Sequence, residues 1–162
     1  MNSNSGIFNV SVIMVCVDPA IVNSMVPAAE KMPWLVSSSS FEAYISESRR
    51  PYFGQQAKSA HACIAVVDFD MNPELAVEST TYLQQMFPGK VTVIALAGSQ
   101  NPDLILMAMR AGCSEFLNKL ILRPQKLKRL RHRLRIHALR SATDVRRRNS
   151  RPFAVRGQTD AD

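Results

Sequence analysis

Three times in this chain an apolar run breaks into Asp or Asn followed at once by proline: Asp18-Pro19 after "SVIMVCV", Asn72-Pro73 after "ACIAVV" and its polar end, and Asn101-Pro102 after "KVTVIALA". Each pair is a helix start. The Asx side chain accepts a hydrogen bond from the first free amides, and proline has no amide to leave unsatisfied in the first helical turn. The segments behind them, "AIVNSMVPAAEK", "ELAVESTTYLQQMF" and "DLILMAMRAG", carry apolar residues near helical spacing, and the last two run toward Gly89 and Gly112, where a C-cap is expected. A fourth apolar run, "SEFLN", follows the third of them. Runs apolar on both faces suit a parallel sheet covered by helices, not a sheet with one wet face. "WLVSS" supplies a further strand and "FEAYISESRR" a weaker helix. A long basic helix after Pro124 is striped by Leu127, Leu130, Leu134 and Ala138. Five strands then alternate with five helices, which in one domain means an open doubly wound α/β sheet.

At 162 residues and 46% apolar content, the chain supports one such core plus a tail. The opening "MNSNSGIFNV" lacks the positive n-region of a secretory leader, and the first apolar run is cut off by Asp18-Pro19. A cytoplasmic chain without a membrane span is therefore expected. Cys16, Cys63 and Cys113 have no C-x-x-C spacing and lie in or beside apolar runs, so buried reduced thiols are expected in preference to a disulfide or a zinc site.

The net charge of +7 is not spread evenly. Most of the positive charge falls between Arg123 and Arg156, in "RPQKLKRLRHRLRIHALRSATDVRRRNSRPFAVR". An amphipathic last helix explains part of it, with arginine stems over apolar surface and their heads in water. The run continues into "DVRRRNSR" and ends in the polar "GQTDAD", so residues 141–162 are expected to form a basic, disordered tail. Arg129, Arg131, Arg133 and Arg135 are the candidate interaction residues. Such a cluster suits an acidic protein surface, anionic lipid or nucleic acid. With no helix-turn-helix pattern and no aromatic interleaving, a protein contact ranks first, a membrane surface second and nucleic acid third.

The order of these elements, with "VVDFD" ending the third strand, "VIALAGS" ending the fourth and "AMRAGCSEFLNK" covering the fourth helix and fifth strand, resembles the CheY-like receiver domain of two-component response regulators over residues 8–140. The resemblance implies a flavodoxin-like fold with strand order 2-1-3-4-5. Within that superfamily, "KVTVIALAGSQNPDLILMAMRAGCSEFLNK" is most similar to the atypical receiver of Tad-type pilus assembly proteins of the CpaE/TadZ kind. There the receiver precedes a ParA/MinD-like ATPase domain. This sequence has no G-K-G-G-x-G-like phosphate loop, so the receiver part is what is expected here.

Receiver chemistry needs a carboxylate nucleophile, a divalent ion to offset phosphoryl charge, and a lysine and a hydroxyl to hold the phosphorylated state. All of them converge at the carboxyl ends of the strands. The resemblance puts the phosphoacceptor position at Asp68, the lysine at Lys119, the hydroxyl position at Ala97 and the aromatic switch position at Phe116. The acidic pair for magnesium falls on Cys16 and Val17. A methyl group cannot donate to a phosphoryl oxygen; Ser99, two residues on, is a partial substitute. Phe116 has no hydroxyl and also reads as an ordinary core residue. Lys119 also reads as an ordinary exposed lysine, with Leu120 where the family places proline. Three weak metal candidates remain. Asp18 also reads as a helix cap. Asp70 alternates onto the same face as Asp68 if the strand persists, or begins a solvated loop. Asp68 is the third.

These readings imply a pseudo-receiver: a protein-interaction or localisation module in pilus or secretion-system assembly or signalling, with no enzymatic activity of its own. No cofactor is expected, and magnesium only if the phosphoacceptor site works. Expected partners are a ParA/MinD-like ATPase, pilus machinery, a histidine kinase, or a second copy through the face of the fourth helix, fifth strand and fifth helix. The alternative is a phosphoacceptor response regulator in a phosphorelay.

Overall fold

The computed structural model describes residues 8–29, 31–122, and the isolated positions 136, 140 and 143. Its elements run β1 (Val10–Val15), α1 (Pro19–Ala29), β2 (Leu35–Phe41), α2 (Gln55–Ser59), β3 (Ala62–Asp68), α3 (Pro73–Met86), β4 (Val91–Ala97), α4 (Pro102–Arg110) and β5 (Glu115–Asn118), closing with a 3-10 turn, Lys119–Leu122. The five strands are all parallel, in the order β2-β1-β3-β4-β5. This is the CheY-like, flavodoxin-type doubly wound fold.

Side-chain alternation explains how the sheet buries both faces. Ile13, Val15, Cys63, Ala65, Val67, Val93 and Ala95 point to one side, where they meet Ala57 of α2, Ala76 and Leu83 of α3 and Ala108 of α4. Val12, Met14, Ile64, Val66, Ile94 and Leu96 point to the other, where α1 contributes Met25, Ile21 and Val22. A parallel sheet whose central strands carry apolar residues on both faces needs such a cover on each side. Cys63 and Cys113 are buried, and desolvation pushes their thiols up to about 12 and about 11.

The three Asx-Pro junctions form as the sequence requires. Asp18 Oδ1 accepts from the Ala20 amide at 2.7 Å, Asn72 Oδ1 from Leu75 at 3.0 Å, and Asn101 Oδ1 from Asp103 at 2.9 Å. Gly112 follows the end of α4 with φ of 93°, the left-handed geometry that stops a helix.

The second helix is a correction. "FEAYISESRR" is not helical: β2 runs on to Phe41, an irregular segment follows, and the short α2 lies at Gln55–Ser59. Phe41, Tyr44 and Ile45 have helix-like spacing because all three reach the core, not because they share a helix face. The Ile45 amide and carbonyl both bond the Ser79 hydroxyl, at 3.0 and 2.9 Å, which satisfies a buried backbone that no helix ladder serves. Among the described residues there are four α-helices, one fewer than the five expected. The fifth, after Pro124, falls outside the described residues except at Ile136 and Arg140, both helical. Arg129, Arg131, Arg133 and Arg135, the end of the domain near 140 and almost all of the 141–162 tail also lie outside them.

Candidate functional site

Parallel strands bring their carboxyl ends to one rim, where helices and loops leave a crevice. β3 delivers Asp68 there, almost fully buried at 1% exposure. β5 ends one residue before Lys119, and Asn118 fixes that turn by accepting from the Leu120 amide at 2.8 Å. The Lys119 ammonium lies 2.5 Å from Asp68 Oδ2 and 2.6 Å from Asp70 Oδ2. Asp68 and Asp70 are thus brought together, but by a lysine between them.

Asp70 is doubly held. The Gly98 amide just past β4 donates to both of its oxygens, at 2.9 and 2.8 Å, while the Asp70 amide donates to Asp68 Oδ1 at 2.9 Å. Gly98 permits this by its lack of a side chain: a Cβ there would stand 3.1 Å from Asp70 Oδ2, tighter than ordinary van der Waals contact. The loop is braced from below by Tyr44, whose buried hydroxyl donates to the Asp68 carbonyl at 2.8 Å and accepts from the Asn72 amide at 3.2 Å.

One cation between two carboxylates sets the electrostatics. Burial pushes the Asp68 carboxyl above its ordinary 3.8, and the bonds from Lys119 and the Asp70 amide offset this only in part. Burial would lower the Lys119 ammonium, but the hydrogen bonds to Asp68 and Asp70 outweigh it and hold that group above 10.5. The lysine gains from both carboxylates, whereas each carboxylate has a share of one lysine.

The other sequence candidates sit differently. Ala97 ends β4 fully buried, its methyl in the apolar core. Ser99 is exposed, and among the described residues no hydrogen bond joins it to Asp68, Asp70 or Lys119. Phe116, opposite Ala95 in the sheet, is half-buried against the core under α3 and α4. Asp18 is exposed and turned to the amide of its own helix. At the acidic-pair positions, Val17 is buried with the α1 side of the core, and Cys16 has a left-handed backbone, φ 55°. Burial first, and the Asp68 charge behind it, raises the Cys16 thiol above its ordinary 9.0.

That donor set does not suit magnesium, which wants six oxygens in near-octahedral array. The end of β1 offers a protonated thiol and an isopropyl group, and the two carboxylates opposite are turned to an ammonium. Among the described residues no group of three Asp, Glu, His or Cys side chains converges on one point. Sequence reasoning missed Gly98, Tyr44 and the backbone of Cys16. A glycine directly after a buried strand was the available signal for Gly98, since it marks a close approach.

No protein-family model matches this chain, and no curated protein does. Solved structures do. A CheY-like receiver domain protein from Methanospirillum hungatei superposes with a TM-score of 0.55 at 14% identity, over 85% of this chain and 98% of that one. The isolated receiver domain of RcsB from Salmonella enterica serovar Typhimurium gives 0.52 at 17% identity, over 80% and 90%. The RcsB response regulator of Salmonella typhimurium gives 0.52 at 16%, over 80% of this chain; the match spans 61% of that longer protein. At these identities the likeness establishes the receiver fold. Among the described residues no helix is long and apolar enough to cross a membrane.

Proposed function

We propose that this receiver-fold chain is a pseudo-receiver, a protein-interaction or localisation module that is not efficiently phosphorylated. The reading rests on one observation: the lysine that would have to hold a phosphoryl oxygen is engaged by Asp68 and Asp70 at 2.5 and 2.6 Å, with no hydroxyl at Ala97 to donate to that group and no carboxylate at Cys16 or Val17 to hold a charge-offsetting cation. A phosphoryl group arriving at Asp68 adds negative charge to a pocket already in deficit of positive charge. No enzymatic activity is part of this reading.

The exposed apolar residues of α4, Leu106, Met107 and Met109, support a protein partner at the α4–β5 side. Unbranched methionines adapt to more than one contact surface. A ParA/MinD-like ATPase or pilus machinery is the partner class the CpaE/TadZ resemblance favours, in the cytoplasm, with a second copy or a histidine kinase next. The second reading, a working phosphoacceptor, is favoured by the burial of Asp68 at the carboxyl end of β3 beside Lys119.

Incubation with acetyl phosphate and magnesium followed by intact-mass measurement tests this. The expected result is no phosphate-sized gain. A gain that disappears in Asp68→Asn reinstates the phosphoacceptor reading.

A further inference from the structure

Asp70 enters the reading above only as a second carboxylate on Lys119. Its carboxylate is nonetheless as fully ligated as that of Asp68: one backbone amide reaches both of its oxygens and an ammonium reaches one. A main-chain N–H and a lysine converging at strand ends make a cradle for an oxyanion, because both donors are fixed and neither brings an acceptor of its own. The absent side chain at Gly98 gives that cradle its depth. It is filled from within, by a residue two positions past Asp68.

We propose that Asp70 is a resident anion, occupying the oxyanion position formed by the Gly98 amide and Lys119 and thereby closing it to a tetrahedral oxyanion such as phosphate. The proposal deepens the pseudo-receiver reading and rests on it, since a site that turned over phosphoryl groups could not keep its cradle permanently filled. The tether does the work that a soluble anion would have to do by concentration. Asp70 is carried on the loop that follows β3 and is fixed by its own amide bond to Asp68 Oδ1, so ordering it costs little that folding has not already fixed. Charge works in the same direction. Two carboxylates on one ammonium leave the pocket with an excess of negative charge, which repels any further anion.

Removing the occupant should open the position. An apparent affinity is reduced by the fraction of molecules in which the site is free, so emptying the cradle should lower the apparent Kd for the ion on the order of tenfold or more. The probe is inorganic phosphate titrated into nitrogen-15 labelled protein, read at the Gly98 amide. In the wild type that amide should show no saturable shift. In Asp70→Ala it should shift saturably, more tightly still in Asp68→Asn/Asp70→Ala, where a second negative charge is gone, and the response should vanish when Lys119→Met is added. Asp70→Asn keeps one acceptor oxygen for Gly98 without the charge and should respond between wild type and Asp70→Ala. It also serves if Asp70→Ala does not fold, which the remaining amide spectrum reports. A saturable wild-type shift as tight as that of Asp70→Ala means the cradle is open and overturns the proposal. So does an absent response in every folded Asp70 variant, which means there is no oxyanion position to fill. These outcomes are separate from phosphorylation of the wild type, which would remove the pseudo-receiver reading by a change in mass.

Discussion

Where β3, β4 and β5 end, charge is answered by charge: Asp68 and Asp70 meet Lys119, and Gly98 lends its amide. Where β1 ends, the corresponding positions hold a protonated thiol, a buried valine and an aspartate that caps its own helix. The first side is a closed network built from three strand ends; the second is ordinary core and ordinary capping. A phosphoacceptor site needs both sides to supply charge to one ion, whereas here the carboxylate on one side caps its own helix and the two on the other share one lysine. On the first side the charged groups therefore satisfy one another, Lys119 facing both carboxylates and the Gly98 amide reaching both oxygens of Asp70.

The comparison can be broken most directly at Lys119. Lys119→Met leaves Asp68 buried without its cation and beside Asp70, and should cost about 3 kcal/mol in urea denaturation at neutral pH. Part of that loss should return at lower pH as Asp68 takes up a proton. A loss below about 1 kcal/mol would show the network to be no stronger than an exposed ion pair.

A smaller effect of opposite sign is expected on the other side. A non-glycine residue in the left-handed region is strained, so Cys16→Gly should stabilise the fold by about 0.5–1 kcal/mol after the extra backbone entropy of glycine is counted. Destabilisation would mean that the thiol bond to the Glu42 carbonyl, 3.5 Å, is more than incidental.

Asp68→Asn should change stability least at neutral pH, by less than about 1 kcal/mol, because Lys119 keeps Asp70 and a buried charge is removed. Its pH dependence is the sharper test. With the folded-state value above 3.8, the folded protein binds this proton more tightly than the unfolded chain. Wild-type stability should therefore rise relative to Asp68→Asn as pH falls through the folded value to 3.8, then level off. Lys119 gives the alkaline counterpart: its contribution is present below 10.5 and is lost as pH rises through its higher folded value. Thermal melts of both proteins across the acid range check the first sign; a gap moving the other way would mean that Lys119 outweighs burial at Asp68.

What could be read from the chain was whatever local chemistry decides. An Asx before a proline caps a helix wherever it occurs, so all three junctions are visible without tertiary knowledge. Asp68 and Lys119 were legible as residues at strand ends, which a parallel sheet must gather at one rim. The segment after Phe41 misled because core contacts made from an irregular loop leave the same apolar spacing as a helix face. Asp70 was legible as a residue but not in its direction, since its partners are 28 positions away at Gly98 and on the far side of β4 at Lys119. Tyr44 likewise reaches Asp68 across 24 positions, a distance at which periodicity carries no information.

The outer strands of the sheet carry a further consequence, for how copies of this protein behave when crowded. Every open sheet has two rows of unpaired backbone groups that could recruit a foreign strand and seed aggregates. Here one margin is β5, only four residues long, and the other is β2, whose middle is four consecutive serines, Ser37–Ser40. A short ladder offers few hydrogen bonds to an incoming chain, and a serine tract offers it little apolar surface with which to zip shut. The oily strands are kept in the interior, so among the described residues the margins of the sheet are the strands least able to hold a stranger.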